Sequence, residues 1–237
     1  MFVIANCRIS KAALDALKAK GFIPILTKSA KYLQEGVSAH PDMLFFCGFG
    51  QLFCHKEYYA ENAALIDQIR ELYHAELVLS DEPTGKKYPL DVLFNACIVG
   101  NRIICNPKTV SKMILSVASS FGLEMISVPQ GYTKCSICAV SDNALITADR
   151  AIAEACEKVG IDVLKVSEGH VSLPPYNFGF IGGASGAFES AVYFCGSVDK
   201  HPDGEAIKDF CKKHDKTPVS LSDDLLQDVG SLFFIGE

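Results

Sequence analysis

The chain repeats one supersecondary unit, and the last copy begins at the C-terminus and finishes at the N-terminus. Short apolar strands open at corresponding points in Gly50–Cys54, Gly100–Cys105, Asp142–Thr147 and Ser190–Phe194, and Met1–Ala5 is a fifth. Each follows a second apolar run and precedes a helix-like segment and a closing strand. One such unit cannot bury its own faces and needs neighbours. For the fifth copy the preceding run, Ser231–Ile235, ends the chain, while its helix (Lys11–Lys20) and closing strand (Ile23–Leu26) lie at the beginning. Two tails that complete one unit imply a ring. The fold class expected is α/β, a five-bladed pseudo-symmetric propeller of ββαβ units, with one unit closed by the N- and C-terminal segments.

The other units follow the same plan. Met43–Cys47 turns at Phe49-Gly50 into Gln51–His55; Ala64, Leu65, Ile69 and Leu72 then fall at helical intervals, and Leu77–Leu79 closes the unit. The second runs from Val92–Phe94 through Ile103–Cys105 and a helix stopped by Gly122 to Met125–Val128. The third has Cys135–Val140, Ala144–Thr147, a helix over Arg150–Val159 with Asp149 placed as its N-cap, and Val163–Val166. The fourth runs from Phe178–Ile181 through Ala191–Cys195 and a helix over Gly204–Lys213 to Pro218–Leu221. No linker or low-complexity segment interrupts the pattern, so residues 1–237 read as a single domain.

Composition narrows the setting. With 49% hydrophobic residues the chain can bury a large core, and a net charge of −6 argues against a nucleic-acid or anionic-membrane surface. The apolar runs are strand-sized, well short of the roughly 18 residues of a membrane span, and no basic region opens a secretory signal. A cytoplasmic protein is expected. Ten cysteines would mean a disulfide framework in a small secreted chain, but Cys47, Cys54, Cys97, Cys105 and Cys195 lie inside apolar runs, where a thiol acts as a small hydrophobe.

Five such units around an axis resemble the pentein fold, the α/β propeller shared by guanidino-group modifying enzymes and the ribosome anti-association initiation factor. Gly131-Tyr132-Thr133-Lys134-Cys135-Ser136-Ile137-Cys138, Thr147-Ala148-Asp149-Arg150, Gly179-Phe180-Ile181-Gly182-Gly183-Ala184-Ser185-Gly186 and His201-Pro202-Asp203-Gly204-Glu205 are similar to an uncharacterised bacterial branch of that fold. The likeness covers essentially the whole chain. The enzymes of the fold place a nucleophilic Cys near the C-terminus and a His before an inner strand. This chain has neither at those places, so their catalytic set does not transfer residue by residue.

In such a ring the residues just before each innermost strand line a central pore. Asp42, Asp91 and Asp228 hold three of those positions, Lys134 and Cys135 the fourth, and Pro175-Tyr176-Asn177 the fifth. Asp42, Asp91, Lys134, Asn177 and Asp228 are therefore the expected substrate-binding set, in which carboxylates accept paired N–H bonds from a guanidinium or amidinium. The alternative is that each Asp caps a turn. Cys135 is the candidate nucleophile, with Lys134 favouring its thiolate and His40 or His170 as the base. No metal and no cofactor are implied. Cys135-x-x-Cys138 lacks a second ligand pair, and on a strand its side chains would point to opposite faces. Asp203 suits a helix cap, and Gly179–Gly186 lacks the residues of a phosphate loop, which leaves a flexible hairpin at the pore rim or a close backbone approach to a ligand.

Two functions of different classes fit. One is an enzyme or binder acting on a small polar or cationic nitrogen compound (guanidine, amidine or amide) in an acidic pore, as a Cys hydrolase or amidinotransferase if catalytic. The other is a non-catalytic propeller that binds a macromolecular partner, as the initiation-factor relatives do. Neither requires nucleic acid or a membrane, and a homo-oligomer is compatible with both.

Overall fold

The computed structural model describes residues 1–236. In chain order its elements are β1 (Phe2–Ala5), α1 (Lys11–Ala19), β2 (Ile23–Leu26), α2 (Pro41–Leu44), β3 (Phe45–Gly48), β4 (Gln51–His55), α3 (Lys56–Tyr73) and β5 (Glu76–Ser80). Then come β6 (Cys97–Val99), β7 (Arg102–Cys105), α4 (Lys112–Ser120), β8 (Glu124–Ser127), α5 (Thr133–Ser136), β9 (Cys138–Ser141), β10 (Ala144–Thr147), α6 (Arg150–Glu157) and β11 (Asp162–Lys165). The chain ends with β12 (Ser185–Phe188), β13 (Ala191–Phe194), α7 (Gly204–Lys213), β14 (Thr217–Ser220) and β15 (Phe233–Ile235).

A tight turn starts each blade except the one closed by the two tails. Phe49 and Gly50 both take positive φ, 59° and 68°, the backbone that a two-residue hairpin needs to match strand twist, and they fold β3 onto β4. A helix then carries the chain back to a parallel partner, because two parallel strands require a crossover. The result is five three-stranded sheets, β3-β4-β5, β6-β7-β8, β9-β10-β11, β12-β13-β14 and β15-β1-β2, in which the first strand of each is antiparallel and the last parallel to the middle one. The tails meet as expected, with Phe2 opposite Ile235, Val3 opposite Phe234 and Ile4 opposite Phe233. Residues of all five antiparallel edge strands ring one central pore.

Apolar clusters fill the spaces around the blades. Val3, Leu17 and Phe22 pack with Cys195, Val229 and Leu232, joining the closing blade to its predecessor. The Phe22 ring lies 5.8 Å from Phe188, 5.3 Å from Tyr193 and 4.9 Å from Phe234, at angles favoured by aromatic quadrupoles. All ten cysteines are free; eight are buried, Cys47 is half-buried and Cys7 is exposed. Among the described residues no helix is long and apolar enough to cross a membrane.

Capping follows the residue chemistry at α6, where Asp149 Oδ1 accepts from the Ile152 amide at 3.0 Å. Asp203 does hold the N-cap position of α7, yet its Oδ2 accepts from Ser167 N at 2.7 Å and ties down the preceding connection instead of the helix. The inner strands begin later than their apolar runs. Met43 and Leu44 belong to α2, Val92–Phe94 form turns, Cys135 sits in α5, and 178–184 are irregular before β12. An apolar run is equally compatible with a strand and with a buried helical turn. Pro41 at the start of α2 has the φ of a first helical residue and no amide to leave unpaired. Cys135 and Cys138 thus stand on different elements, not on opposite faces of one strand.

Candidate functional site

At one end of the hub α2, α5 and the segment before β15 converge. Asn95, between units one and three, holds them together. Its Oδ1 accepts from Lys134 N (2.7 Å) and Cys135 N (3.2 Å), and its Nδ2 donates to Asp42 O (3.1 Å) and Cys135 Sγ (3.1 Å). Cys135 Sγ in turn donates to Asp42 Oδ2 at 3.2 Å. The Ser231 hydroxyl donates to the same oxygen at 2.8 Å and accepts from Lys134 Nζ at 2.9 Å. A continuous chain of polar contacts therefore runs Lys134, Ser231, Asp42, Cys135.

Asp228 completes the cluster. Its Oδ2 accepts from Phe180 N (2.9 Å), its Oδ1 from Gly230 N (3.0 Å), and Oδ1 lies 3.6 Å from His40 Nδ1. Gly179 and Gly183 pack so closely on this carboxylate that a Cβ on either would collide with it. The close approach permitted by these glycines is thus to the protein's own acid. Gly182 lies equally tight on the backbone of Cys135 and Ile137, so this stretch is a packed seam and not a flexible hairpin.

Burial sets the electrostatics. It pushes the Asp228 carboxyl up to about 6 against the two backbone amides, and it drives His40 down to about 4, so His40 is neutral at pH 7. Burial also raises Asp42, with His40 and Lys134 opposing and Asp228 adding to the rise. Cys135 is held well above the usual thiol range, first by burial and then by Asp42 and Asp228. This corrects the expectation that Lys134 favours the Cys135 thiolate. The Lys134 ammonium turns to Ser231 and the Phe233 ring, 5.7 Å from its centroid, while the sulfur faces two acids.

His40, Cys135 and Asp228 line a cavity of about 190 Å³ walled by Val37, Tyr132, Leu173, Tyr176, Phe178 and Phe180. Tyr132 and Phe180 stack with centroids 6.0 Å apart. Tyr132 OH donates to Asp91 Oδ2 at 2.6 Å, which places Asp91 behind the aromatic wall, where burial raises its carboxyl. Asp42 Oδ1, Asp91 Oδ1 and His40 Nδ1 are buried with no hydrogen-bond partner.

The central pore, of about 260 Å³, is a different space. Residues of β3, β6, β9, β12 and β15 line it, and Lys134 is the charged side chain among them. The pore is therefore not acidic. The carboxylates stop short of it, because the turns preceding the inner strands fold them into the protein at one end. Asp42, Cys135, Asp228 and His40 come together, Lys134 joins through Ser231 and Asp91 through Tyr132. Asn177 is exposed on the connection before β12, and its neighbours Tyr176 and Phe178 reach the cavity in its place. His170 is exposed as well and lines another cavity, its ring 5.4 Å from that of His201, so it is not grouped with Cys135. Among the described residues no group of three or more His, Cys, Asp and Glu side chains forms a metal site.

The profile of a family described as a family of unknown function (DUF6873) matches residues 4–233. The chain belongs to that family. No curated protein matches it in sequence. Among solved structures it is similar to a mutant DDAH from Pseudomonas aeruginosa complexed with citrulline, at 8% identity and a TM-score of 0.60, covering 94% of this chain and 92% of that one. C. jejuni agmatine deiminase gives 10% identity and a TM-score of 0.56 over 93% and 87%. SxtG, an amidinotransferase from Microseira wollei, gives 12% and 0.55 over 88% and 72%. At such identities the likeness is one of fold, and with the five repeated sheets it shows that this DUF6873 chain has the pentein fold.

Proposed function

We propose that this protein binds a small cationic nitrogen compound of the guanidine or amidine kind in the cavity formed by His40, Cys135 and Asp228, and that the bound cation converts Cys135 into a nucleophile. The observation that carries this reading is the convergence of a carboxylate, a neutral imidazole and a thiol on one aromatic-walled space. With a pKa of about 6, Asp228 is mostly ionised at pH 7 and faces the cavity as an anion. Tyr132, Tyr176, Phe178 and Phe180 line the same space, and aromatic rings attract a cation placed over their faces. At about 190 Å³ the space suits a head group, being below the roughly 300–1,000 Å³ of sites for drug-sized molecules. The names of proteins similar in fold, an agmatine deiminase and an amidinotransferase, agree with that ligand class.

An unliganded Cys135 is a poor nucleophile, because its thiolate would be buried beside two acids. A cation in the cavity reverses that field. The thiol proton then passes to Asp42 Oδ2, already its hydrogen-bond acceptor, and the sulfur adds to the amidinium carbon as the C=N π pair moves onto nitrogen.

A pair of probes tests this reading. In 2-chloroacetamidine the cation and the electrophile are one molecule; sulfur displaces chloride and Asp42 takes the proton. Neutral 2-chloroacetamide has the same reacting carbon without the charge. Mass spectrometry should find Cys135 labelled by the amidine at least about tenfold faster than by the amide, the effect of lowering a thiol pKa by about one unit. Exposed Cys7 supplies the internal reference. Equal rates at Cys135, or labelling confined to Cys7, would overturn the reading.

A further inference from the structure

The central pore has the makings of a second binding site. Each of the five strands around it is the edge of its sheet, paired on one side only, so backbone N–H and C=O groups are left facing the hub. Lys134 brings the one charged side chain of the lining into this space. Its ammonium has three donors. One is satisfied by Ser231 Oγ at 2.9 Å, the Phe233 ring stands 5.7 Å away, and among the described residues no carboxylate lies within ion-pair distance. A half-buried ammonium that keeps free donors on its pore side, and meets the Asp42 carboxylate only through the Ser231 hydroxyl, attracts an anion.

We infer that the pore binds a small organic monoanion whose carboxylate pairs with Lys134 Nζ and whose body lies against Phe233 and the strand edges. One cation matches one negative charge, which favours a monocarboxylate over a phosphate ester. The volume of about 260 Å³ limits the ligand to a compact molecule. The inner-strand amides supply further donors to the carboxylate oxygens. This site is separate from the His40, Cys135 and Asp228 cavity, and it stands whether or not that cavity takes a cation.

Benzoate is the probe, benzamide its uncharged counterpart, and sodium chloride at equal concentration the ionic control. The melting temperature of the full chain should rise progressively with benzoate, as for any ligand that binds only the folded state, and should not rise with benzamide or chloride. Lys134→Met should weaken benzoate binding by about tenfold or more, the loss of one charge-assisted contact. Should that variant fail to fold, Ala187→Glu carries the test. Ala187 is an exposed residue of the pore wall, and a carboxylate there competes for the ammonium while Lys134 stays in place. No benzoate shift in the native protein, an equal shift with benzamide, or a shift that survives both substitutions would overturn the inference. Acetamidine titrated on the same samples reports on the other cavity, so failure of one site is distinguishable from failure of the other.

Discussion

Cys135 Sγ and Asp42 Oδ2 stand 3.2 Å apart, both residues buried, with the thiol as donor and the carboxylate as acceptor. This pairing keeps the sulfur protonated, since ionising it would put two negative charges side by side in a low dielectric. Asp42→Asn removes one of them. Alkylation of Cys135 by iodoacetamide at pH 7.5 should be slower than that of exposed Cys7 in the native protein, and about tenfold faster than native in the variant, for about one unit of thiol pKa. A variant rate at or below the native one would show that burial alone controls the thiol.

His40 and Asp228 make opposed contributions to stability against pH. The His40 pKa falls from 6.5 to about 4 on folding, so its contribution is present above pH 6.5 and is lost as pH drops towards 4. The Asp228 value rises from 3.8 to about 6, so its contribution is present below pH 3.8 and is lost as pH climbs through 6. Each amounts to about 3 kcal/mol, and over pH 4 to 6.5 they nearly cancel. Asp42, raised in the same sense as Asp228, tilts the sum towards a fall with rising pH. Urea unfolding across this window should give a fall in stability with rising pH for the native protein and a steeper fall for His40→Gln. For Asp228→Asn the fall should be shallower than the native one, because Asp42 alone then opposes His40. Parallel profiles in all three would mean that neither group changes its proton affinity on folding.

The blades were legible because periodicity and turn chemistry act over a few residues. Phe49-Gly50 marks a hairpin, Asp149 caps its helix, and Ser231–Ile235 carries an apolar run that only Met1–Ala5 could complete. The site was legible in part. Asp42, Cys135 and Asp228 are related by the repeat, which brought them to one end of the hub, but the repeat does not encode where a side chain turns. Lys134 adjoins Cys135 in sequence and yet faces the pore, because consecutive residues of the α5 turn point in different directions. Asn95, Ser231 and Tyr132 carry the decisive hydrogen bonds as single polar residues, and no spacing announces them. Their one available signal was a position near an inner strand, which Asn177 shares without reaching the cavity.

Gly183 should be among the positions least tolerant of an added methyl. Its amide donates to Cys135 O at 2.8 Å, its carbonyl accepts from Val229 N and Ser231 N, and its Cα lies against Asp228. Gly183→Ala should cost about 1–3 kcal/mol as overpacking, and it should also abolish acetamidine stabilisation by displacing the carboxylate. Gly85→Ala is the comparison, because its Cβ would meet only the Leu90 side chain at 3.5 and 3.6 Å. There the change should be neutral or stabilising by under about 1 kcal/mol. Equal effects at both positions would mean that the approach to Asp228 is not tight.

The seam between the tails offers a test of how the ring is held shut. The Phe234 ring of β15 lies 4.9 Å from Phe22, 5.4 Å from Phe188 and 5.1 Å from Tyr193, so one side chain joins the last strand to the helix-and-strand segment at the start of the chain and to the neighbouring blade. A half-buried aromatic in such a cluster is worth less than the roughly 3–5 kcal/mol of a fully buried one, and Phe234→Ala should cost about 2–3 kcal/mol. Phe121, 58% exposed and stacked on Phe49 alone at 5.0 Å, should cost less than about 1 kcal/mol on the same substitution. Hydrogen exchange should also quicken at Phe2–Ile4 in Phe234→Ala before it changes in β4 or β7, because the tail pairing loses its anchor first. A cost for Phe234→Ala no larger than that for Phe121→Ala would show that strand pairing, and not this aromatic cluster, holds the two ends of the chain together.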